Sequence, residues 1–275
     1  MTEYLSVEGG RISYEVTGEG PLVVLCHGIG DRRQAFRHMI PPLVAAGHRV
    51  AAADLRGHGE SDTGFASHTR ADTAADLLAL VRHLGGGPAV LVGHSFAAGS
   101  AALAAVAAPA EVAAIVQIGP GTRAPVIRLR DIGWRFTKGI ALIFGATLLR
   151  STRIWRRYLD HAYPGARQAD HAAEIAALTA KMGEKGRMHA FAQMMLSSPA
   201  ESGAALSKVP VPALVVMGAL DPDFPDPRAE AADLAALLPQ GEAVVIEGSG
   251  HYPHAQHPQE TTAAILRLLK RRADA

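Results

Sequence analysis

The chain has 275 residues, a formal net charge of +1, and 48% hydrophobic against 19% charged residues. That length suits one large α/β domain or a core with an appendage, and the apolar fraction excludes an intrinsically disordered protein. Near-balanced charge with no Lys/Arg block argues against a dedicated nucleic-acid binder. The single cysteine, Cys26, excludes a disulfide framework and a cysteine-based zinc site. Met1-Thr2-Glu3-Tyr4 opens without an apolar h-region, so no signal peptide is read and a cytoplasmic location is expected.

In chain order, short apolar runs alternate with longer helical patterns. Strands are predicted at Arg11–Val16, Leu22–Cys26, Arg49–Ala53, Ala89–Val92, Val112–Ile118, Ala213–Met217 and Ala243–Ile246. Helices are predicted at about Gln34–Ala46, Arg70–Leu84, Phe96–Ala107, Arg228–Leu238 and Gln259–Arg272. Thr69 with Asp72 three residues on resembles a capping box. Such alternation predicts a mostly parallel sheet with helices on both faces. Residues 84–110 hold no Asp, Glu, Lys or Arg, enough on paper for the ~20 residues of a membrane span. Gly85-Gly86-Gly87-Pro88 and Gly93-His94-Ser95 divide that stretch into turn, buried strand, turn and Ala-rich helix, so no membrane contact is expected.

One interval departs from the alternation. Residues 122–206 show helical pattern and no strand, with 13 Lys/Arg against 6 Asp/Glu, whereas the remainder has 14 against 20. Both tryptophans and four of the seven methionines fall in it. A helical subdomain over 122–206 is expected, inserted into an α/β core made of 1–121 and 207–275.

Four motifs sit at predicted strand ends. Val92-Gly93-His94-Ser95-Phe96-Ala97 runs from strand through a small-residue turn into a helix, the context of a nucleophile elbow. The usual second glycine is Ala97 here, and the bland alternative is a serine that only caps the helix. Cys26-His27-Gly28-Ile29-Gly30 follows a strand, and the backbone N–H groups of Ile29 and Phe96 are the expected oxyanion donors. His27 reads as a structural histidine of that loop. Asp221 closes Met217-Gly218-Ala219-Leu220-Asp221, and His251 lies in Gly248-Ser249-Gly250-His251-Tyr252-Pro253. A serine needs a base to remove its proton, and the base needs a carboxylate to hold its tautomer. Ser95, Asp221 and His251 supply these in the chain order of the elbow fold.

With these motifs the chain resembles the α/β-hydrolase fold family, and Asp54-Leu55-Arg56-Gly57-His58-Gly59-Glu60-Ser61 is a further landmark of it. The resemblance covers about residues 10–121 and 207–272. It implies an eight-stranded, mostly parallel sheet, a helical cap over the active site, and Ser95, Asp221 and His251 as the triad. Relatives that open epoxides or haloalkanes use an aspartate nucleophile, so Ser95 speaks against both reactions.

Alternatives accompany each role. Asp223 and Asp226 follow Asp221 closely, and Asp221 is preferred as the first acid after the strand. His251, His254 and His257 lack a spaced carboxylate and are broken by Pro253 and Pro258, so no metal is expected. His58, His68, His83 and His94 read as surface or loop histidines, and Cys26 as core packing. No phosphate-binding glycine motif appears, so no cofactor is expected. Trp134, Trp155 and Met194 are the expected pocket-lining residues of the cap, and Arg128 a carboxylate clamp, though core packing and solvated charge explain the same residues. The expected reaction is cofactor-independent hydrolysis of a carboxylic ester, or a related acyl bond, of a small to medium apolar molecule. A C–C bond hydrolase, lactonase, lyase or cofactor-free haloperoxidase would use the same triad, and a ligand receptor is the non-catalytic alternative.

Overall fold

Leu22–Cys26 is five apolar residues in succession, a pattern that belongs in a sheet covered on both faces. In the computed structural model, which describes residues 1–273, this run and Val112–Ile118 are buried from end to end. They belong to an eight-stranded sheet: β1 (Glu3–Val7), β2 (Gly10–Thr17), β3 (Leu22–Cys26), β4 (Arg49–Ala53), β5 (Ala89–His94), β6 (Val112–Ile118), β7 (Ala213–Gly218) and β8 (Gly241–Ile246). Their spatial order is β1-β2-β4-β3-β5-β6-β7-β8. The β1–β2 and β2–β4 pairs are antiparallel and the other five parallel. Asp274 and Ala275, the end of the expected core, lie outside the described residues.

Before β6 come α1 (Ile40–Ala45), α2 (Arg70–Leu84) and α3 (Phe96–Ala107). Between β6 and β7 lie α4 (Trp134–Leu149), α5 (Thr152–Ala162), α6 (His171–Met182), α7 (Arg187–Leu196) and α8 (Ala200–Ala205). After β7 come α9 (Pro227–Leu237), α10 (Pro253–Gln256) and α11 (Pro258–Ala273). Successive strand residues point to opposite faces. Val24, Leu91 and Val215 accordingly join one apolar cluster with α2, α3 and the β6–β7 helices, while Val23, Val90 and Val216 join another with Phe36, Leu43 and α11. The helix Arg70–Leu84 begins on the expected capping box: Thr69 accepts from the Asp72 N–H, and Asp72 accepts from the Thr69 N–H at 2.7 Å.

Two elements differ from the sequence expectation. The strand β1 was not predicted, because none of its five residues is buried and an exposed edge strand has no apolar run to announce it. It is held by its hairpin register with β2, from Glu3 opposite Tyr14 to Val7 opposite Gly10. The helix predicted over Gln34–Ala46 is instead a 3₁₀ turn at Arg33–Phe36 followed by α1. Pro41 and Pro42 lack the N–H that a continuing helix would use, and they are tolerated only in the first turn.

Candidate active site

The loops after β3, β5, β7 and β8 all open at the carboxyl edge of the parallel strands, where α/β sheets bind ligands. Ser95 joins β5 to α3 with φ +51° and ψ −113°. A non-glycine residue with this backbone is strained, and such strain is characteristic of functional turns. The turn is fixed on both sides: the Ser95 N–H donates to the Ile118 carbonyl at 2.8 Å, and the Ser95 carbonyl accepts from Gly121 at 3.0 Å. Strand and helix cross so closely that a Cβ on Gly93 would lie 2.3 Å from the Ala97 carbonyl oxygen. Ala97, standing where the motif usually has glycine, is itself fully buried, so its methyl group is accommodated.

Asp221 and His251 meet 30 residues apart in sequence, with Asp221 Oδ2 2.8 Å from His251 Nδ1. Asp226 is elsewhere, capping α9 through the N–H groups of Arg228 and Ala229. Asp223 faces the other side of the same ring, its Oδ2 3.5 Å from His251 Nε2. Its Oδ1 accepts a hydrogen bond from Tyr158 Oη of α5 at 2.7 Å. Burial opposes charge on the imidazole, but Asp221 and Asp223 outweigh it and push His251 up to about 9. Burial and the neighbouring Asp221 raise Asp223 to about 6 against the pull of His251. Among the described residues no hydrogen bond joins Ser95 Oγ to His251, and neither the Ile29 nor the Phe96 N–H has an acceptor.

Helix α5 reaches into this edge. The Trp155 indole donates to the Gly30 carbonyl at 2.9 Å, and its ring stacks on Tyr158 with centroids 4.6 Å apart. The His251 N–H donates to the Ala162 carbonyl at 3.1 Å, so the histidine loop is tied to the end of α5. Of the expected pocket residues, Trp155 is therefore at the site and Met194 is fully buried in the apolar core. Trp134 and Arg128, expected in the pocket and as a clamp, are both exposed. Trp134 is 68% exposed on the outer face of α4 with the Lys138 ammonium over its ring. Arg128 is exposed just before a short 3₁₀ turn. Trp134 borders the open cleft between α4 and α5, while the inner side of α4 is taken by Phe136 and Gly139.

Several histidines carry more structure than the sequence suggested. His27 donates from Nδ1 to the Gly28 carbonyl and accepts the Leu55 N–H at Nε2, as a loop-holding histidine should. His58, read as a surface or loop residue, is buried and accepts the Gly30 N–H at 3.0 Å. His94 is buried beneath the elbow, and its Nε2 donates to the His251 carbonyl at 3.0 Å. Asp31, His94 and His254 are all buried and each brings one ligand-type atom within 4.8 Å of the others, as do Asp221, Asp223 and His251. Among the described residues these are the two clusters with metal-type donors. His257 belongs to neither and pairs with Glu260. The landmark loop is anchored by Asp54, which accepts from the Arg33 and Glu60 N–H groups and Ser13 Oγ and pairs with the Arg33 guanidinium. Burial works against this carboxylate, yet His27 and Arg33 hold it well below the usual range.

Chain order and placement on one sheet edge fit a single class of protein, the α/β hydrolases. The family comparison agrees: residues 23–265 match the model of the alpha/beta hydrolase family, and the chain belongs to that family. It is 29% identical to 2-(acetamidomethylene)succinate hydrolase of Mesorhizobium japonicum, over 96% of this chain and 94% of that protein. It is 28% identical to epoxide hydrolase A of Mycobacterium tuberculosis, over 96% of each. The solved structure of the esterase EaEST from Exiguobacterium antarcticum superposes with a TM-score of 0.83 at 19% identity, covering 98% of this chain and 100% of that one. At that identity the likeness concerns the fold.

Proposed function

We propose that the protein is a serine hydrolase that cleaves a carboxylic ester, or a related acyl bond, of a small to medium apolar molecule through an acyl-enzyme. Ser95 Oγ attacks the carbonyl carbon while His251 Nε2 takes the hydroxyl proton, and Asp221 holds the ring through Nδ1. The N–H groups of Ile29 and Phe96 stabilise the oxyanion, both being free of other acceptors. His251 then delivers its proton to the leaving alcohol, and water repeats the sequence in reverse to release the acid and restore Ser95. Helices over residues 122–206 serve as the cap, with Trp155 and Tyr158 excluding water from the reacting atoms.

The observation that carries this proposal is the strained backbone of Ser95 on the same sheet edge as the Asp221–His251 pair. A serine also separates this chain from epoxide opening, since attack by a hydroxyl would leave an alkyl ether that water does not cleave, whereas a carboxylate leaves an ester that it does. In the resting protein His251 Nε2 faces Asp223, so turnover requires the ring to exchange that carboxylate for Ser95 Oγ as substrate enters. Active-site hydrogen bonds often tighten only on binding. The proposed setting is the cytoplasm, with a small-molecule substrate and no nucleic acid. A fluorophosphonate probe followed by peptide mass spectrometry tests the assignment: the adduct belongs on Ser95, and an adduct elsewhere or none at all overturns it.

A further inference from the structure

Eight of the thirteen exposed large apolar side chains among the described residues fall between positions 126 and 149. Leu129 is 87% exposed and Leu148 73%. On α4, Trp134, Lys138, Ala141, Phe144 and Leu148 recur at intervals of three and four and are all exposed, so they form one face of the helix. The opposite side is committed: a Cβ on Gly139 would lie 2.9 Å from the Pro222 carbonyl oxygen, in the loop that carries Asp221 and Asp223. The apolar outer face is therefore held on a helix that rests on the candidate active site.

The charges around this face have one sign. Residues 123–157 hold nine Lys/Arg and one acid, Asp131. Among the described residues no carboxylate pairs with Arg128, Arg135, Lys138, Arg150, Arg153 or Arg157, whereas Arg130 pairs with Asp131 at 3.5 Å. Between α4 and α5 a cleft of about 730 Å³ is lined by Trp134, Arg135, Lys138, Arg157, His161 and Arg167, with Asp160 the acid of its lining. A face that combines apolar residues, an exposed tryptophan and flanking cations meets the requirements of an interfacial helix on anionic lipid.

We propose that the outer face of α4 and the preceding segment 126–132 dock the protein on an anionic lipid bilayer, with the cationic cleft taking a lipid headgroup. At 16 residues and ~1.5 Å of rise per residue, α4 is shorter than the ~30 Å hydrocarbon core, and no described helix is long and apolar enough to cross a membrane. The helix lies on the surface. The expected absence of membrane contact rested on the absence of a spanning segment, which does not bear on this arrangement. A second copy is the poorer occupant, since a two-fold interface would set the unpaired cations of one face against their own copies. Docking is independent of the proposed ester chemistry. It would present apolar lipid-borne substrates directly to the cap.

The two tryptophans make the test specific, because Trp134 is exposed and Trp155 is 2% exposed. Purified full-length protein is titrated with phosphatidylcholine vesicles containing or lacking about one-third phosphatidylglycerol. Binding to the anionic vesicles should blue-shift the emission, and brominated acyl chains should quench the Trp134 contribution. Binding should weaken several-fold as salt is raised from about 0.1 to 0.5 M. Flotation assays of F144S/L148S and of R135A/K138A should each show at least tenfold weaker binding, with far-ultraviolet circular dichroism unchanged. No binding to anionic vesicles, or binding that neither double variant alters, overturns the proposal. So does equal affinity for soluble glycerophosphate with no vesicle preference, which would mark a free-anion site, or a concentration-dependent dimer abolished by F144S/L148S, which would mark a self-association face.

Discussion

Replacing Asp223 with Asn would remove one carboxylate charge from beside His251 Nε2 while nearly preserving shape. At their 3.5 Å separation, two unit charges in a medium of effective dielectric about 20 interact by ~5 kcal/mol. That figure is an upper bound, because Asp223 is itself raised to about 6 and the amide keeps a dipole. Opposite charges at this range move a pKa by about 1–3 units, so a fall of about 1.5 units is expected, equivalent to ~2 kcal/mol. The sign follows from the role of the base. His251 works as the neutral ring, so a pKa raised to about 9 makes turnover climb with pH through the alkaline range. At pH 7 the neutral fraction should rise from about one in a hundred to about one in four. The assay is kcat/KM for a nitrophenyl ester from pH 5.5 to 10, since this ratio reports the free enzyme. The rising limb of D223N should move to lower pH and its activity at pH 7 should increase. A limb left within about 0.3 unit of the parent, or moved upward, would refute the assignment of Asp223 as a charge that, beside Asp221, holds His251 protonated.

Ser95→Ala should reduce ester hydrolysis to the level left by binding and the oxyanion donors, about 10³–10⁴-fold over water, with an unchanged melting temperature; full activity would remove Ser95 from the mechanism. Arg33→Met should cost about 3–5 kcal/mol in urea unfolding, because it strands the buried Asp54 carboxylate. A loss below about 1 kcal/mol would show that Ser13 Oγ and the Arg33 and Glu60 N–H groups suffice to hold that charge. Trp155→Phe keeps an aromatic six-membered ring but deletes the donor to the Gly30 carbonyl and part of a buried ring system, so it should cost about 1–3 kcal/mol and shift chain-length preference among esters. Lost stability with unchanged preference would confine Trp155 to a structural role.

Much of the candidate site's outline can be read in the sequence because its signals are local. Strand, turn and helix meet within a few residues at Gly93-His94-Ser95-Phe96, and the steric demand for small residues there is written in the sequence itself. The same holds for Thr69 and Asp72, whose reciprocal bonds span three positions. Chain order then placed Asp221 and His251 after later strands. The edge strand β1 and the break before Pro41 were lost for equally local reasons, one lacking an apolar run and the other hidden under a run that looked helical.

The sequence by itself determined the alternation of strands and helices, the elbow at Ser95, and the concentration of basic and aromatic residues between β6 and β7. Tertiary structure alone decided which side of α4 faces inward. On α5, Trp155, Tyr158, Leu159 and Ala162 recur at helical spacing and mark one buried side, whereas α4 is apolar on most of its circumference and periodicity cannot choose its inner face. The close approach of Gly139 to Pro222 makes that choice, turning the Trp134 indole to solvent. Tyr158 and Asp223, 65 residues apart, likewise become a pair against His251 only after folding. Spacing along a chain encodes contacts a few residues long, whereas these depend on how separately formed helices pack, which no local pattern specifies.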